Sequence, residues 1–486
     1  MHGRVKTLVL AVAAVVLALP ALVFRYLPMT DLPQHEAVLS ILLHLDDPGF
    51  GFGPFYERHL TASPYLFPYG IAAFFTLFMP VSDAFHVLAF LSVLALPLGM
   101  LAVALAQRRQ VWPVLFAFVF AYDRAFFWGF INLKLGIGAG LVAIAAALVE
   151  PESRTSKVVA QMATLVAAFT HPYGLALPLA FVVIHAVLGG GWRVLRPSVL
   201  LPGLACTALW AITGSQAMAY DEPISPSLSE RILTFHAQVL GGYQDATEAA
   251  LLVAVSVGIA IAILARGKER LWQDPRDRAF ACLFAINLFL YLTLPQATAT
   301  AKFVHFRHAA LAMVMTLPLA MPESSRARDL GPVLAVSIAI FATVNAWVHL
   351  AAFDAEARSF DAVRGRIPGA SKVVMLAYDP HGEVMRTAPY LHFAAHVQAE
   401  KGGLLAITFP RLFWNLPVRF REDALVPRTP VRFEWHPGDY DYLTFGYFYD
   451  LVLVRRPGPA VLATSDRFPY RPVLVRPPWQ LYERAP

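Results

Sequence analysis

Residues 7–36 read TLVLAVAAVVLALPALVF-RYLPMT-DLPQHE, an unbroken apolar run followed by a short segment rich in ionisable side chains. The run from Thr7 to Phe24 is close to the roughly 20 residues that cross a bilayer core of about 30 Å. Two basic residues precede the run, and no A-x-A-like cleavage site follows it. The pattern predicts an uncleaved first membrane helix whose outer end leads into the segment TDLPQHE, residues 30–36.

The composition of the whole chain points to the same class of protein. Its 486 residues are 57% hydrophobic and only 15% charged, and the mean hydropathy is +0.55. A soluble globular chain is about 45–50% apolar and about 25% charged, so a soluble enzyme and a disordered chain are excluded. The net charge of +6 comes mostly from Lys and Arg in short loops between apolar runs. We therefore expect membrane topology and no nucleic-acid partner.

Apolar runs of membrane-spanning character recur along the first 352 residues. About 11 spans are predicted, at 7–24, 84–106, 112–122, 133–149, 157–170, 173–189, 198–216, 247–266, 278–296, 307–321 and 330–351. With a cytoplasmic N-terminus, the inner loops carry about fifteen Lys and Arg and the longer outer loops about seven. This bias predicts an extracytoplasmic C-terminal region. The short apolar stretch 65–81 is interpreted as an interfacial or re-entrant helix, because counting it as a span would invert every later loop.

The chain is expected to divide into a transmembrane domain, 1–352, and a soluble extracytoplasmic domain, 353–486. Residues 25–83 are assigned to the first outer loop, with juxtamembrane helices, of the transmembrane domain. A helix over Pro389–Glu400 and alternating β-branched and aromatic runs predict a small α/β or β-rich tail domain. The predicted strands are Lys372–Tyr378, Leu404–Thr408, Val431–Trp435, Tyr442–Phe448 and Leu451–Val454. His392 and His396 share a face of that helix, but they lack the third ligand that a metal site needs.

The first candidate site lies directly after the first helix. Asp31 and His35 are four residues apart and share one face of a helix, with Glu36 beside them. Such a group can bind a proton, a metal ion or a hydroxyl. The structural alternative is that Asp31 is an N-cap with Gln34 at the capping-box position. The two interpretations are compatible, because a capping carboxylate can also face a cavity.

A second candidate cluster contains Asp123, Arg124 and Lys134. Asp123 is a candidate for a second site carboxylate, and Arg124 for holding an anionic group. The alternative is that Asp123 and Arg124 form a snorkelling pair among interfacial aromatic side chains. Lys134 either snorkels in the same way or holds a phosphate.

Two further basic groups lie at predicted outer ends of spans. His171 is in the turn THPYG and is either a turn residue or a site residue. Lys302, His305, Arg307 and His308 form a basic cluster on the side where cations are disfavoured. Membrane-edge charges favour a functional interpretation, and this cluster suits the phosphate of a lipid headgroup. The alternative is a scattered set of interface charges.

The order of these elements resembles that of the GT-C superfamily of integral membrane glycosyltransferases, in particular the aminoarabinose transferases and protein O-mannosyltransferases. Asp31 matches the Asp of their Asp-Glu motif, and Leu32 replaces the Glu. The stretch Ser63–Tyr69 resembles their Pro-Leu-Tyr-Tyr juxtamembrane segment, and the run 84–106 with Arg108–Arg109 resembles their second span.

The resemblance implies an α-helical polytopic fold in a GT-C-like bundle and a polyprenyl-phosphate-linked sugar as donor. The acceptor would be a lipid, a glycan or a protein, and membrane lipids would surround the chain. Asp31 would act as general base in a single inverting displacement. The departing lipid phosphate would be stabilised by Arg307, His305, Lys302 or Arg124. No cofactor is certain, and the involvement of a divalent metal ion is left open. The expected location is a bacterial inner membrane with a periplasmic tail domain.

Two other functions remain as alternatives. A transporter or flippase of a lipid-linked precursor would need charges near mid-span and paired broken helices related by a repeat. The sequence has few charges in span centres and no repeat. A non-catalytic membrane scaffold whose tail binds an envelope partner is the third possibility, and it differs from the enzyme in whether Asp31 matters to turnover.

Overall fold

The computed structural model describes residues 2–61, 63–149, 152–191, 195–213, 225–267, 272–297, 302–323, 330–413, 415–456 and 470–485. The chain forms two compact units. The helical unit comprises Met1–Val23, Ala62–Pro68 and Leu88–His349, and the mixed unit comprises Phe24–Thr61, Tyr69–Val87 and Leu350–Pro486. Some inner-loop charges of the predicted topology lie outside the described residues: Arg193, Lys268, Arg270, Arg326 and Arg328.

Apolar helices dominate the helical unit, as the composition predicts. Five described helices are long and apolar enough to cross a membrane: Val5–Val23, Val81–Ala106, Pro172–Gly189, Thr247–Arg266 and Gly331–Arg364. Four are apolar but shorter: Leu66–Phe75, Ile131–Ala147, Pro197–Ile212 and Val304–Ala320. The remaining helices of this unit are Ala117–Ala121, Arg124–Phe127, Arg154–Ala168, Leu228–Leu233, Phe235–Val239 and Pro275–Thr293.

The predicted span 112–122 is not one continuous helix, and the predicted interfacial stretch 65–81 holds a short helix. The run 112–122 is a 3₁₀ turn, Trp112–Phe116, followed by the short helix Ala117–Ala121, and Pro113 occupies an early position of the turn where its missing N–H costs nothing. The stretch 65–81 contains the helix Leu66–Phe75, which at ten residues is too short to span a bilayer.

Glycines let the helix Ile131–Ala147 approach two neighbours closely. A Cβ at Gly174 would lie 2.5 Å from backbone atoms of Gly136, and a Cβ at Gly140 would lie 2.6 Å from the Gly174 carbonyl oxygen. Across the helix, a Cβ at Gly138 would lie 2.6 Å from the Ala95 side chain. Close backbone packing through small residues is the usual way in which membrane helices associate. These contacts fix the helix that carries Lys134.

A buried ion-pair network lies in the helical unit, where the sequence predicts inner loops. The Arg109 guanidinium donates to both oxygens of Asp277, at 2.5 and 2.9 Å, and to Asp274 at 2.8 Å. Arg266 donates to the same Asp277 carboxylate at 2.6 Å. The side chains of Arg109 and Asp277 are each only 1% exposed. These buried ion pairs link the segment after the helix Val81–Ala106 to the helices Thr247–Arg266 and Pro275–Thr293.

The mixed unit contains a five-stranded sheet of order β3-β2-β5-β7-β6. Its strands are β2 (Lys372–Ala377), β3 (Leu404–Leu405), β5 (Leu451–Arg455), β6 (Tyr470–Arg476) and β7 (Trp479–Arg484). β2 pairs in parallel with β3 and β5, and β7 pairs antiparallel with β5 and β6. A separate antiparallel pair joins β1 (Tyr56–Arg58) to β4 (Val418–Phe420). β2 and β5 are the runs that the sequence predicts, whereas β6 and β7 were missed.

Two predicted strands of the tail are wrong. Val431–Trp435 contains the 3₁₀ turn Val431–Glu434, and Tyr442–Phe448 contains the short helix Tyr442–Phe445. Asp441 caps that helix by accepting from the backbone N–H groups of Leu443 and Thr444. Local capping and flanking prolines therefore override the β propensity of the aromatic residues.

The first outer loop folds with the tail in the mixed unit, although the sequence division placed residues 25–83 with the transmembrane domain. The helix Leu32–Leu43 packs on the helix Ala394–Lys401, and Ser40 Oγ donates to the Ala399 carbonyl at 2.7 Å. Gly402 ends the second helix at a φ of +79°, and a Cβ there would lie 2.1 Å from the Phe50 carbonyl oxygen. Only glycine fits this position. Loop and tail are thus one packed structure.

Candidate active site

Asp31 lies at the start of the helix Leu32–Leu43, but its carboxylate does not cap the helix. Its Oδ1 lies 3.3 Å from Nδ1 of His392, in the turn Pro389–His392 of the tail. Gln34 does not form a capping box either, because its amide donates to the Ile407 carbonyl and accepts from the Phe409 N–H. Asp31 therefore occupies the predicted N-cap position, but its carboxylate lies against the tail histidine and accepts no capping hydrogen bond, and the predicted capping box does not form.

Both ring nitrogens of His392 have acceptors. Nδ1 lies 3.1 Å from the Thr30 carbonyl oxygen as well as near Asp31, and Nε2 lies 2.6 Å from Oε1 of Glu434. Burial by itself lowers the pKa of His392, but the charge of Glu434, with hydrogen bonds to Asp31 and Glu434, outweighs burial and raises the pKa to about 10. His392 is therefore an imidazolium at neutral pH, donating through both nitrogens.

His35 and Glu36 point to different partners. Nδ1 of His35 lies 2.6 Å from the Tyr69 hydroxyl, and burial lowers the pKa of His35 to about 4, against the opposing charge of Asp31. His35 is thus neutral at pH 7. Glu36 is buried and pairs with His396, Oε2 to Nδ1 at 2.7 Å. Asp31 and Glu36 therefore each engage one of the two tail histidines that share a helical face.

A small cavity lies against the pair of His392 and Glu434. Its polar lining comes from these two side chains and Gln34. The remaining walls are Met375, Ala377, Leu391, Ala394, Leu405, Ala406 and Ile407. The cavity thus combines apolar side chains with an ion pair at one edge.

In the helical unit, Asp123 pairs with Lys134. Lys134 Nζ lies 2.8 Å from Asp123 Oδ1 and donates to the Phe120 carbonyl at 3.2 Å. The same Oδ1 caps the helix Arg124–Phe127 by accepting from the Phe126 N–H. Arg124 instead donates to the Ala237 carbonyl at 3.0 Å. The predicted snorkelling pair of Asp123 and Arg124 is therefore wrong, and Lys134 is buried rather than reaching for solvent.

Asp123, Lys134 and Arg307 line one small cavity in the helical unit. Its other walls are wholly apolar: Leu96, Ala125, Leu133, Ile137, Ala310, Leu311 and Val314. The cavity therefore has two cations and one carboxylate in an otherwise hydrophobic wall. This is the lining that an anionic headgroup on an apolar chain requires.

Arg307 is held by aromatic rings. Its guanidinium lies 4.7 Å from the Phe130 ring centroid and donates to the Lys302 carbonyl at 3.2 Å. Its buried Nε has no hydrogen-bond partner among the described residues. His305 is also buried, and neither of its ring nitrogens has a partner in the described part of the chain. His305 and Lys302 are not among the residues that line the cavity.

His171 is the N-cap of the helix Pro172–His185, where its Nδ1 accepts from the Tyr173 N–H at 3.1 Å. Burial first, and the charge of Arg307 second, hold the pKa of His171 well below its usual range. His171 is therefore neutral and supplies no positive charge.

No three His, Cys, Asp or Glu side chains converge as a metal site within the described residues. Beside Asp31, the positive charge is supplied by the imidazolium of His392. The sequence interpretation missed His392, His396 and Glu434 as partners of the first loop. The available signal was two histidines four residues apart opposite two acids, Asp31 and Glu36, on another predicted helix.

Comparison with solved structures finds the same fold in membrane glycosyltransferases. Two crystal structures of ArnT from Cupriavidus metallidurans, in the apo state and bound to undecaprenyl phosphate, each match with a TM-score of 0.55 and 13% identity, over 99% of this chain and 98% of that chain. A cryo-EM structure of arabinofuranosyltransferase AftD from Mycobacteria matches with a TM-score of 0.51 and 14% identity, over 99% of this chain and 40% of that chain. No family model and no curated protein sequence match.

At these identities the likeness defines the fold. The chain has the fold of the GT-C glycosyltransferases, which confirms the resemblance predicted from the sequence. Together with the five long apolar helices, the fold defines an integral membrane protein.

Proposed function

We propose that the protein is a membrane glycosyltransferase that moves a sugar from a polyprenyl-phosphate donor to an acceptor hydroxyl on the extracytoplasmic side. The observation that carries the proposal is the cavity of the helical unit, where Lys134 and Arg307 interrupt an otherwise apolar wall. A phosphate attached to a prenyl chain needs this combination of cations and apolar surface. The likeness in fold to a protein crystallised with undecaprenyl phosphate supports the same donor class.

In the proposed reaction, Asp31 accepts the proton of the acceptor hydroxyl. The acceptor oxygen then bonds to the anomeric carbon, and the bond between that carbon and the phosphate oxygen breaks. The lipid phosphate leaves with the bonding electrons, so that the configuration at the anomeric carbon inverts. We assign to Lys134 and Arg307, in the helical unit, the binding of the donor's lipid phosphate, because a cation interacts strongly with an anion where water is scarce.

Asp31 suits the role of base because its carboxylate is only partly buried, with 16% of the side chain exposed. Asp123 is less suited, because one carboxylate oxygen already binds both Lys134 and the Phe126 N–H. We therefore assign proton transfer to Asp31 and assign to Asp123 the orientation of Lys134.

The test is consumption of radiolabelled polyprenyl-phosphate sugars by the purified protein in liposomes, with membrane extract as the acceptor source. We expect sugar to leave the lipid with the wild type and not with Asp31→Asn. Asp46→Asn is the matched control, because Asp46 is an acid of the same unit that is 77% exposed and pairs with Arg58. Full turnover by Asp31→Asn would remove that residue from the mechanism.

A wild type that consumes none of several donors would contradict the proposal. Movement of the intact labelled lipid across the liposome membrane without loss of sugar would instead support the transporter alternative.

A further inference from the structure

We propose that His392 is a positioning residue for Asp31, so that the tail supplies the group that orients the base. This inference rests on the proposed function, in which Asp31 accepts the proton. It adds two residues, His392 and Glu434, whose roles the sequence does not indicate.

His392 lies between Asp31, the proposed base, and Glu434, and contacts one carboxylate through each ring nitrogen. Nδ1 of His392 hydrogen-bonds to the Thr30 carbonyl oxygen at 3.1 Å and lies 3.3 Å from Asp31 Oδ1. Nε2 lies 2.6 Å from Glu434 Oε1. The imidazole is buried and has the edge of the Phe409 ring against it, with centroids 5.5 Å apart. Contacts at both nitrogens and one face leave the ring few orientations, so it can fix one oxygen of Asp31.

The second oxygen of Asp31 remains for the acceptor. None of the described residues hydrogen-bonds to it, whereas Oδ1 is engaged by His392. A carboxylate anchored through one oxygen presents the other in a defined direction. Anchoring matters because a displacement of about 1 Å in a reacting group costs up to about 100-fold in rate.

Among the described residues, three titratable side chains act on the protonation of His392. Asp31 and Glu434 are acids on either side of the ring, and His35 is the third titratable group near it. Because His35 is neutral above about pH 4, the two carboxylates decide the protonation of His392. Replacing Glu434 by Gln keeps the shape and one oxygen acceptor but removes the charge that contributes most to raising the pKa of His392.

The experiment measures kcat and the donor KM against pH for Glu434→Gln and His392→Gln in liposomes. Glu400→Gln is the control, since Glu400 is a half-exposed acid of the same unit that pairs with Arg364. We expect kcat to fall about 10- to 100-fold in His392→Gln with the donor KM within about 2-fold of wild type. In Glu434→Gln we expect activity at neutral pH to be partly retained and to be lost at a lower alkaline pH than in the wild type. If Glu434 had a merely structural role, its replacement would not shift the pH at which activity is lost on the alkaline side of the profile.

Unchanged kcat and unchanged pH profiles in both variants, with Asp31→Asn inactive, would overturn the positioning role and leave the proposed function intact. Full activity of Asp31→Asn would instead defeat the proposed function itself. If His392→Gln does not fold, the alkaline limb of Glu434→Gln decides, because that variant changes one atom: a shifted limb supports the role and an unshifted limb overturns it.

Discussion

Nδ1 of His396 lies 2.7 Å from Oε2 of Glu36, and the Glu36 side chain is only 1% exposed. The other carboxylate oxygen, Oε1, is buried without a hydrogen-bond partner among the described residues. The imidazole is therefore the one described side chain that satisfies this carboxylate. Because Glu36 belongs to the first loop and His396 to the tail, the pair holds together two distant parts of the sequence within one unit.

His396→Ala should destabilise the mixed unit, because it leaves a buried carboxylate with no partner at either oxygen. The expected cost is about 1–3 kcal/mol, the penalty for a buried acceptor left unsatisfied. Thermal unfolding of the purified protein in detergent measures it as a lower Tm. His436→Ala is the control, because His436 is an exposed histidine of the same unit. Equal Tm values for the two variants would show that the pair contributes nothing.

Gly174→Ala should disturb the helical unit, since the new Cβ would lie 2.5 Å from the backbone of Gly136. Backbone cannot rotate away as a side-chain tip can, so the two helices must separate, at a cost of about 1–3 kcal/mol. Gly70→Ala is the matched control, because a Cβ there meets nothing within 4 Å. The measurement is the Tm in detergent together with donor turnover, because the Gly136 helix carries Lys134. A Gly174 variant as stable and active as the Gly70 variant would contradict this packing.

The sequence predicted the long apolar helices well. The predicted spans 84–106 and 247–266 lie within three residues of Val81–Ala106 and Thr247–Arg266, because uniform apolar runs of this length have few other folds open to them. In the tail, the aromatic runs after Val431 and Tyr442 were misassigned, since capping by Asp441 is a local effect that propensity does not register.

The sequence indicates several of the candidate residues, but neither their pairings nor the part played by the tail histidines. Asp31 and His392 stand at opposite ends of the sequence, and no periodicity links them. The sequence indicates Lys134 as a charge at the start of a helix. It favours Arg124 as the partner of Asp123, because the two are adjacent, whereas the structure pairs Asp123 with Lys134. Opposite charges that are adjacent in a sequence are readily interpreted as a pair, whereas the partner of a buried charge is determined by which helices pack together.

Arg307→Gln should weaken donor binding, because it removes one of the two cations of the cavity while keeping a polar side chain. A rise of about 10-fold in the donor KM is expected, equivalent to about 1.4 kcal/mol. Kinetics in liposomes measure it, with Arg58→Gln as control, because the Arg58 side chain is half exposed and pairs with Asp46. Lys134→Met should raise the KM further, since it also leaves Asp123 unpaired and repelling the phosphate. Unchanged KM values in both variants would place the phosphate elsewhere.

The stability of the mixed unit should fall on the acid side through His35. Burial holds the pKa of His35 at about 4 in the folded protein, whereas an unfolded histidine has a pKa near 6.5. Between these values the unfolded chain binds a proton that the folded chain does not, so stability is present above about pH 6.5 and is lost as the pH falls towards 4. The full difference is about 3 kcal/mol.

His392 has the opposite sign, because its pKa is raised to about 10: its contribution is complete below about pH 6.5 and is lost as the pH rises to 10. Tm measured from pH 4.5 to 9.5 should therefore lose part of its acid slope in His35→Gln and part of its alkaline slope in His392→Gln. Each variant serves as the control for the other, since each removes one slope and leaves the other. Two variants with the wild-type slopes on both sides would mean that neither imidazole changes its protonation on unfolding.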